Sequence, residues 1–165
     1  MSSKIDRQAL MEALNRAMRE ASGKGVVYSQ QVATRLGINS TDLECLDFIV
    51  MRGPLSAGEL AAATGLTSGA ITGVIDRLER AGFARRARDA HDRRKVMVRA
   101  LPTIERRVAP LFQPMERGAM VVLARYSDKE LALLLDAFQR LGEAAGNAAG
   151  ELNVQTKSAP KAGKK

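Results

Sequence analysis

The sequence predicts a mainly α-helical chain with one small β-hairpin set into it. Apolar residues recur at helical spacing over most of its length, and Thr41-x-x-Glu44, Ser56-x-x-Glu59 and Ser127-x-x-Glu130 are three capping boxes that each announce a helix start. Between Phe83 and Ala100 the apolar period drops to two, which is strand spacing. Composition agrees: of 165 residues 45% are apolar but only 4% aromatic, with no Trp, so small and aliphatic side chains must build the core.

The elements follow in order. Ile5, Ala9, Ala13, Ala17 and Ala21 make a stripe widened by Leu10, Leu14 and Met18, giving a helix over 4–22. Ser22-Gly23-Lys24-Gly25 is expected to break it, and a shorter helix follows from Val27 to Leu36, stopped by Gly37. The Thr41 box opens a helix with Leu43, Leu46, Ile49 and Val50, ending at Gly53-Pro54. The Ser56 box opens a short helix that closes before Gly65. Thr67 caps a longer one in which Ile71, Val74, Ile75 and Leu78 share a side and Gly82 is the stop.

Phe83–Arg88 and Val96–Ala100 form two strands, joined by a charged loop over 89–95. Beyond Pro102 the chain is helical to about Tyr126, with Pro110 and Pro114 forcing a kink or a restart. The Ser127 box starts a last helix with Leu131, Leu134, Leu135, Phe138, Leu141 and Ala145 on one face. From Gly146 an Ala/Gly/Asn-rich and then Lys/Ser/Pro-rich stretch reads as a frayed end and a disordered basic tail over 153–165.

Charge narrows the function. The net charge of +8 calls for a polyanionic partner. Nine basic residues against three acidic ones fall between Arg77 and Arg99, so one segment carries most of the excess. Cys45 is the sole cysteine, which excludes an intrachain disulfide framework and fits a reducing cytoplasm. No apolar run approaches the roughly 18–20 residues a bilayer span requires, and the first residues carry no secretory signal, so a cytoplasmic protein without membrane contact is expected. Nucleophile–base pairings, phosphate-cradling glycine loops and metal-ligand clusters are likewise missing from the sequence, so neither enzymatic activity nor a cofactor or metal is expected.

Two helices joined by Thr64-Gly65-Leu66 and followed by a basic hairpin make a winged helix-turn-helix. If Ile71, Val74, Ile75 and Leu78 face the core, Ser68, Gly69, Thr72, Gly73 and Asp76 lie opposite, a small hydrogen-bonding face that fits a major groove. Gly69 and Gly73 each cost a helix roughly 0.5–1 kcal/mol relative to Ala; close approach to a partner would account for them. Thr67, Ser68 and Gly69 can present hydroxyls and backbone N–H groups to a phosphate. At the hairpin tip Arg93, Arg94 and Lys95 suit the narrow minor groove, with Asp92 placed to orient the Arg94 guanidinium. Arg85, Arg86, Arg88 and Arg99 line the strand stems, suited to backbone phosphates. A solvated charged loop is the plain alternative.

Leu55-Ser-Ala-Gly-Glu-Leu-Ala, Leu66-Thr-Ser-Gly-Ala-Ile-Thr-Gly-Val-Ile-Asp-Arg-Leu-Glu-Arg-Ala-Gly-Phe-Ala-Arg-Arg and Asp89-Ala-His-Asp-Arg-Arg-Lys-Val-Met-Val resemble the MarR family of bacterial regulators over residues 40–100. After the second strand the chain departs from the family's frequent Leu-Thr-x-x-Gly step, reading Ala100-Leu-Pro-Thr-Ile. The resemblance implies a recognition helix from Thr67, a minor-groove Arg94 buttressed by Asp92, and backbone contacts from Ser56 and Arg77. It also implies a homodimer on a pseudo-palindromic operator in double-stranded DNA, and a transcriptional regulator, expected to be a repressor.

The division expected is N-terminal dimerisation helices over 1–38, a DNA-binding lobe over 39–101 and C-terminal dimerisation helices over 102–152. The stripe on 131–145 supports it independently, since pairing with the first helix of a second subunit would bury both. Many MarR relatives release DNA on binding a small aromatic or phenolic effector. Met18, Tyr28 and Phe48 are the candidates for such a cleft, with ordinary core packing as the alternative. Cys45 sits among Leu46 and Phe48 without a base or a second thiol, and His91 is the sole histidine, so a core thiol is the better reading than a redox or metal sensor. The rival function is a basic nucleic-acid-binding or adaptor protein that does not read sequence.

Overall fold

The computed structural model describes residues 6–89 and 92–158, with side chains through Leu152. Ile5, His91 and the tail lysines Lys161, Lys164 and Lys165 lie outside the described residues. The fold is mainly helical, with a small antiparallel sheet of three strands.

Helix α1 spans Arg7–Leu36 as one unbroken element, capped by Asp6, whose side chain accepts from Gln8 N–H at 3.1 Å. The expected break at Ser22–Gly25 is not there. Both glycines keep negative φ, their cost is about 1 kcal/mol each, and no proline adds to it. Helix α2, Ser40–Arg52, starts one residue before the expected Thr41 cap. Asn39 is the stronger cap; its side chain accepts from Asp42 N–H at 2.8 Å, and Asp42 returns a bond to Asn39 N–H.

Strand β1 is Leu55–Ser56, α3 is Ala57–Thr64 and α4 is Ser68–Arg80. The Ser56–Glu59 box and the Thr67 cap form as their spacing indicated. Gly65 (φ 70°) makes the turn between α3 and α4, and Gly82 (φ 72°) turns the chain from α4 into the sheet. Strand β2, Ala84–Arg88, pairs with β3, Val96–Ala100, in the register Arg86 to Val98. β1 adds to the other edge of β3, giving the order β1-β3-β2. Two residues carry no alternation signal, so the hairpin expected from sequence lacked this third strand. Phe83, expected to open β2, precedes it and is wholly buried.

Beyond the sheet, α5 (Thr103–Arg107) and α6 (Ala109–Leu123) meet at buried Val108. Pro110 stands in the first turn of α6, where a missing N–H does no harm, while Pro114 lies inside the helix. Helix α7, Asp128–Ser158, starts at the Ser127–Glu130 box. It runs on past Gly146 to Ser158, beyond the expected frayed end and into the stretch assigned to a disordered tail. The first proline after Ser127 is Pro160, and alanines separate the glycines, so nothing stops the helix earlier.

One core joins the C-terminal end of α1 (Val32, Ala33, Leu36) to Leu43, Leu46 and Ile49 of α2, Leu60 of α3, the inner face of α4, and Phe83, Ala84 and Val98 of the sheet. The Arg107 guanidinium lies 4.6 Å from the Phe83 ring centroid and donates to Ala81 carbonyl oxygen at 3.3 Å, so α5 closes this lobe. Outside it, Leu10, Leu14, Leu135 and Phe138 are exposed in the single chain. Among the described residues no helix is long and apolar enough to cross a membrane.

Candidate nucleic-acid interface

The candidate surface is built on α4. Ile71, Val74, Ile75 and Leu78 are all at most 1% exposed, which fixes the rotation of the helix in the core. Ser68, Gly69, Thr72 and Asp76 are therefore turned outward, with Gly73 half-buried. Thr67 Oγ1 accepts from Ala70 N–H at 3.3 Å, leaving the earlier N–H groups of the first turn for solvent or a phosphate. Thr72 donates its hydroxyl back to Ser68 carbonyl oxygen at 3.0 Å, leaving the hydroxyl oxygen able to accept from outside.

The wing stands beside this helix. Asp89 N–H donates to Lys95 carbonyl oxygen at 3.0 Å, Lys95 N–H to Asp92 carbonyl oxygen at 2.9 Å, and Asp92 N–H to the Asp89 carboxylate at 3.0 Å. Asp92 in turn takes the backbone N–H of Arg94 at 3.0 Å. The Asp92 carboxylate, expected to orient the Arg94 guanidinium, instead orders the backbone, because a side chain two residues back reaches the N–H. Arg88, Arg93, Arg94 and Lys95 are exposed.

Three expected contact residues are engaged within the protein. Ser56 donates its hydroxyl to Glu59 at 2.7 Å and accepts from Glu59 N–H at 3.2 Å. The Ser56 N–H, donating to the Glu59 carboxylate at 2.7 Å, and then the Ser56 hydroxyl hold the Glu59 carboxyl below its usual range. Arg77 forks onto Asp42: Nε lies 2.9 and 3.0 Å from the two carboxylate oxygens and Nη2 lies 2.7 Å from one of them. Asp42 is 1% exposed, so this pair ties α4 to the start of α2 at a buried charge. The remaining nitrogen, Nη1, sits beside Gly73, 3.3 Å from where a Cβ would stand.

Arg86, expected at a phosphate, instead bonds Asp76 through Nη2 at 2.7 Å and Glu79 through Nη1, while its backbone N–H donates to Glu79 at 2.7 Å. Sequence reasoning missed Asp42 and the Arg86 pairing. Asp42 is 35 residues from its partner, and only the fold brings them together.

The effector candidates do not converge on one cavity. Tyr28 lines a hollow of about 400 Å³ with Gln31, Val32, Arg35 and Leu111, donates its hydroxyl to Leu111 carbonyl oxygen at 2.5 Å and meets the Phe112 ring. Phe48 packs half-buried on the core under Arg52, and Met18 is an exposed residue of α1. Cys45 is fully buried, and burial with Asp42 and Glu44 nearby pushes its thiol up to about 11. It is a core thiol, protonated at neutral pH.

Comparison with known proteins accords with this geometry. The MarR family model matches residues 25–95. The HTH-type transcriptional regulator YcgE of Bacillus subtilis is 34% identical over 145 residues, 88% of this chain and 92% of that one. The HTH-type transcriptional repressor YetL of the same organism is 32% identical over 91 residues, 53% of this chain and 54% of that one. In fold, the chain is similar to a MarR family protein from Bacillus stearothermophilus, with a TM-score of 0.63 at 24% identity over 85% of this chain and 98% of the other. The chain belongs to the MarR family of helix-turn-helix transcriptional regulators.

Proposed function

We propose that this regulator is a homodimeric repressor that reads a pseudo-palindromic operator in double-stranded DNA. The observation that carries this reading is the outward face of α4, free of bulky side chains from Ser68 to Thr72, set beside an Arg-tipped wing in the same packed lobe. In the proposed complex α4 lies in the major groove with Ser68, Gly69 and Thr72 at base edges. The wing places Arg94 in the flanking minor groove, with Arg93 and Arg88 on phosphates. Arg77 acts mainly by fixing α4, its Nη1 alone remaining for a phosphate.

The exposed apolar faces of α1 and α7 supply the dimer contact. Leu10, Leu14, Leu135 and Phe138 are between 46% and 66% exposed in the single chain, and each such side chain gains about 1.5–3 kcal/mol on full burial. A two-fold axis through these helices sets the two copies of α4 about 34 Å apart, one turn of DNA. Repression follows the relative YetL, a repressor by name. Release by a small aromatic or phenolic effector belongs to the same reading, and the hollow beside Tyr28 and Arg35 is where we place it.

Arg94→Ala tests the site. It is expected to weaken operator binding by more than about ten-fold and to leave the melting temperature unchanged, since Arg94 is exposed and its backbone bond survives. Unchanged affinity would remove Arg94 from the interface. Sedimentation at micromolar concentration should give a dimer; a stable monomer would refute the role given to α1 and α7.

A further inference from the structure

We propose that Arg86 is a positioning residue of the DNA interface, acting by cancelling the negative charge of Asp76 and Glu79 on α4. The inference rests on the DNA-binding reading above. Asp76 follows Thr72 by one helical turn on the outward face, and its side chain is 51% exposed. An unpaired carboxylate there would face the phosphates on either side of the groove, and its sole use in base reading is to accept from cytosine N4. Glu79 lies a further turn along the same side, 31% exposed.

One residue meets both acids. The guanidinium bonds Asp76 with Nη2 and Glu79 with Nη1, and the Arg86 backbone N–H holds the other Glu79 oxygen at 2.7 Å. Because Arg86 sits in the middle of β2, opposite Val98 in the register, these bonds also join the wing to α4. Its own charge is thereby committed inside the protein. The strand-stem arginines thus divide: Arg85 and Arg88 are exposed and available to phosphates, whereas Arg86 serves the helix.

The test uses full-length protein and the duplex it selects from a random pool, titrated at several salt concentrations, with folding checked by thermal melting. Arg86→Met should weaken binding about ten-fold or more. Adding Asp76→Asn and Glu79→Gln to it should bring the affinity back to within about three-fold of the original and restore the salt slope. Asp76→Asn alone should keep or improve binding, and this variant is informative even if Arg86→Met folds poorly.

A direct phosphate contact by Arg86 predicts otherwise: the triple variant would stay weak, with a slope shallower by about 0.9, and that result overturns the proposal. A ten-fold loss or altered base preference for Asp76→Asn would also overturn it, by making Asp76 a reading residue. If the unaltered protein binds selected and random duplexes equally, the DNA-reading proposal itself falls, whatever the variants do.

Discussion

Removing either half of the Asp42–Arg77 pair breaks the same bonds, yet the two losses should differ in size. Asp42 is 1% exposed, whereas the Arg77 side chain is 40% exposed. Arg77→Ala leaves a carboxylate inside the core with one long bond from Asn39 N–H, at 3.4 Å, as its remaining support. Stranding a buried charge in this way costs about 3–5 kcal/mol. Asp42→Asn leaves the guanidinium able to turn to water, and the amide oxygen can still accept one bond, so the cost should be nearer 1–2 kcal/mol.

For a chain of this length, each kcal/mol moves the melting temperature by about 2–4 °C. The expected falls are therefore roughly 6–20 °C for Arg77→Ala and roughly 2–8 °C for Asp42→Asn. Thermal and urea unfolding at one fixed protomer concentration measure both, with concentration held because self-association would shift apparent stability. Equal losses, or a larger loss for Asp42→Asn, would refute the argument that burial of Asp42 makes this pair a stabilising clamp on α4.

Three further outcomes are expected. Gly69→Ala should stabilise the fold, by up to about 0.5–1 kcal/mol, because a Cβ there meets nothing within 4 Å; the same change should weaken operator binding by crowding the groove, and a gain in both would remove the close-approach argument. Cys45 should resist alkylation in the native protein at pH 7 and react once unfolded, since it is fully buried and burial pushes its thiol up to about 11; rapid native labelling would contradict a buried thiol. Phe138→Glu should shift sedimentation from dimer to monomer without melting the DNA-binding lobe, because Phe138 is 66% exposed in the single chain; an intact dimer would place the interface elsewhere.

The helices and the hairpin were legible because local rules set them. The Ser56 and Ser127 boxes, the Thr67 cap and the 71–74–75–78 spacing each act within a few residues, and each formed. Where the reading went astray, two local signals competed or the deciding contact lay far along the chain. At Ser22–Gly25 the cost of two glycines was smaller than the continuity of α1, and at the start of α2 Asn39 outranked Thr41. β1 exists because β3 offers it an edge, which a two-residue pattern cannot reveal.

The candidate site was legible in outline, since the small outward face of α4 and the basic wing follow from periodicity and charge. The commitment of each arginine was not. Arg77, Arg86 and Arg88 look alike in sequence, and only the positions of Asp42, Asp76 and Glu79 separate two internal ties from one exposed cation. Asp92 likewise carried the right residue type for ordering the wing, but its partner proved to be a backbone N–H.

The claim that α4 and the wing read sequence is tested most directly by titrating the protein against its selected duplex and a random duplex of equal length, each at two salt concentrations. A regulator of this kind should bind the selected duplex roughly a thousand-fold or more tightly, and that preference should persist at the higher salt. Equal affinities that fall together with a steep salt slope would mean that the basic segment grips phosphates alone, and the account of a sequence-reading regulator would be wrong.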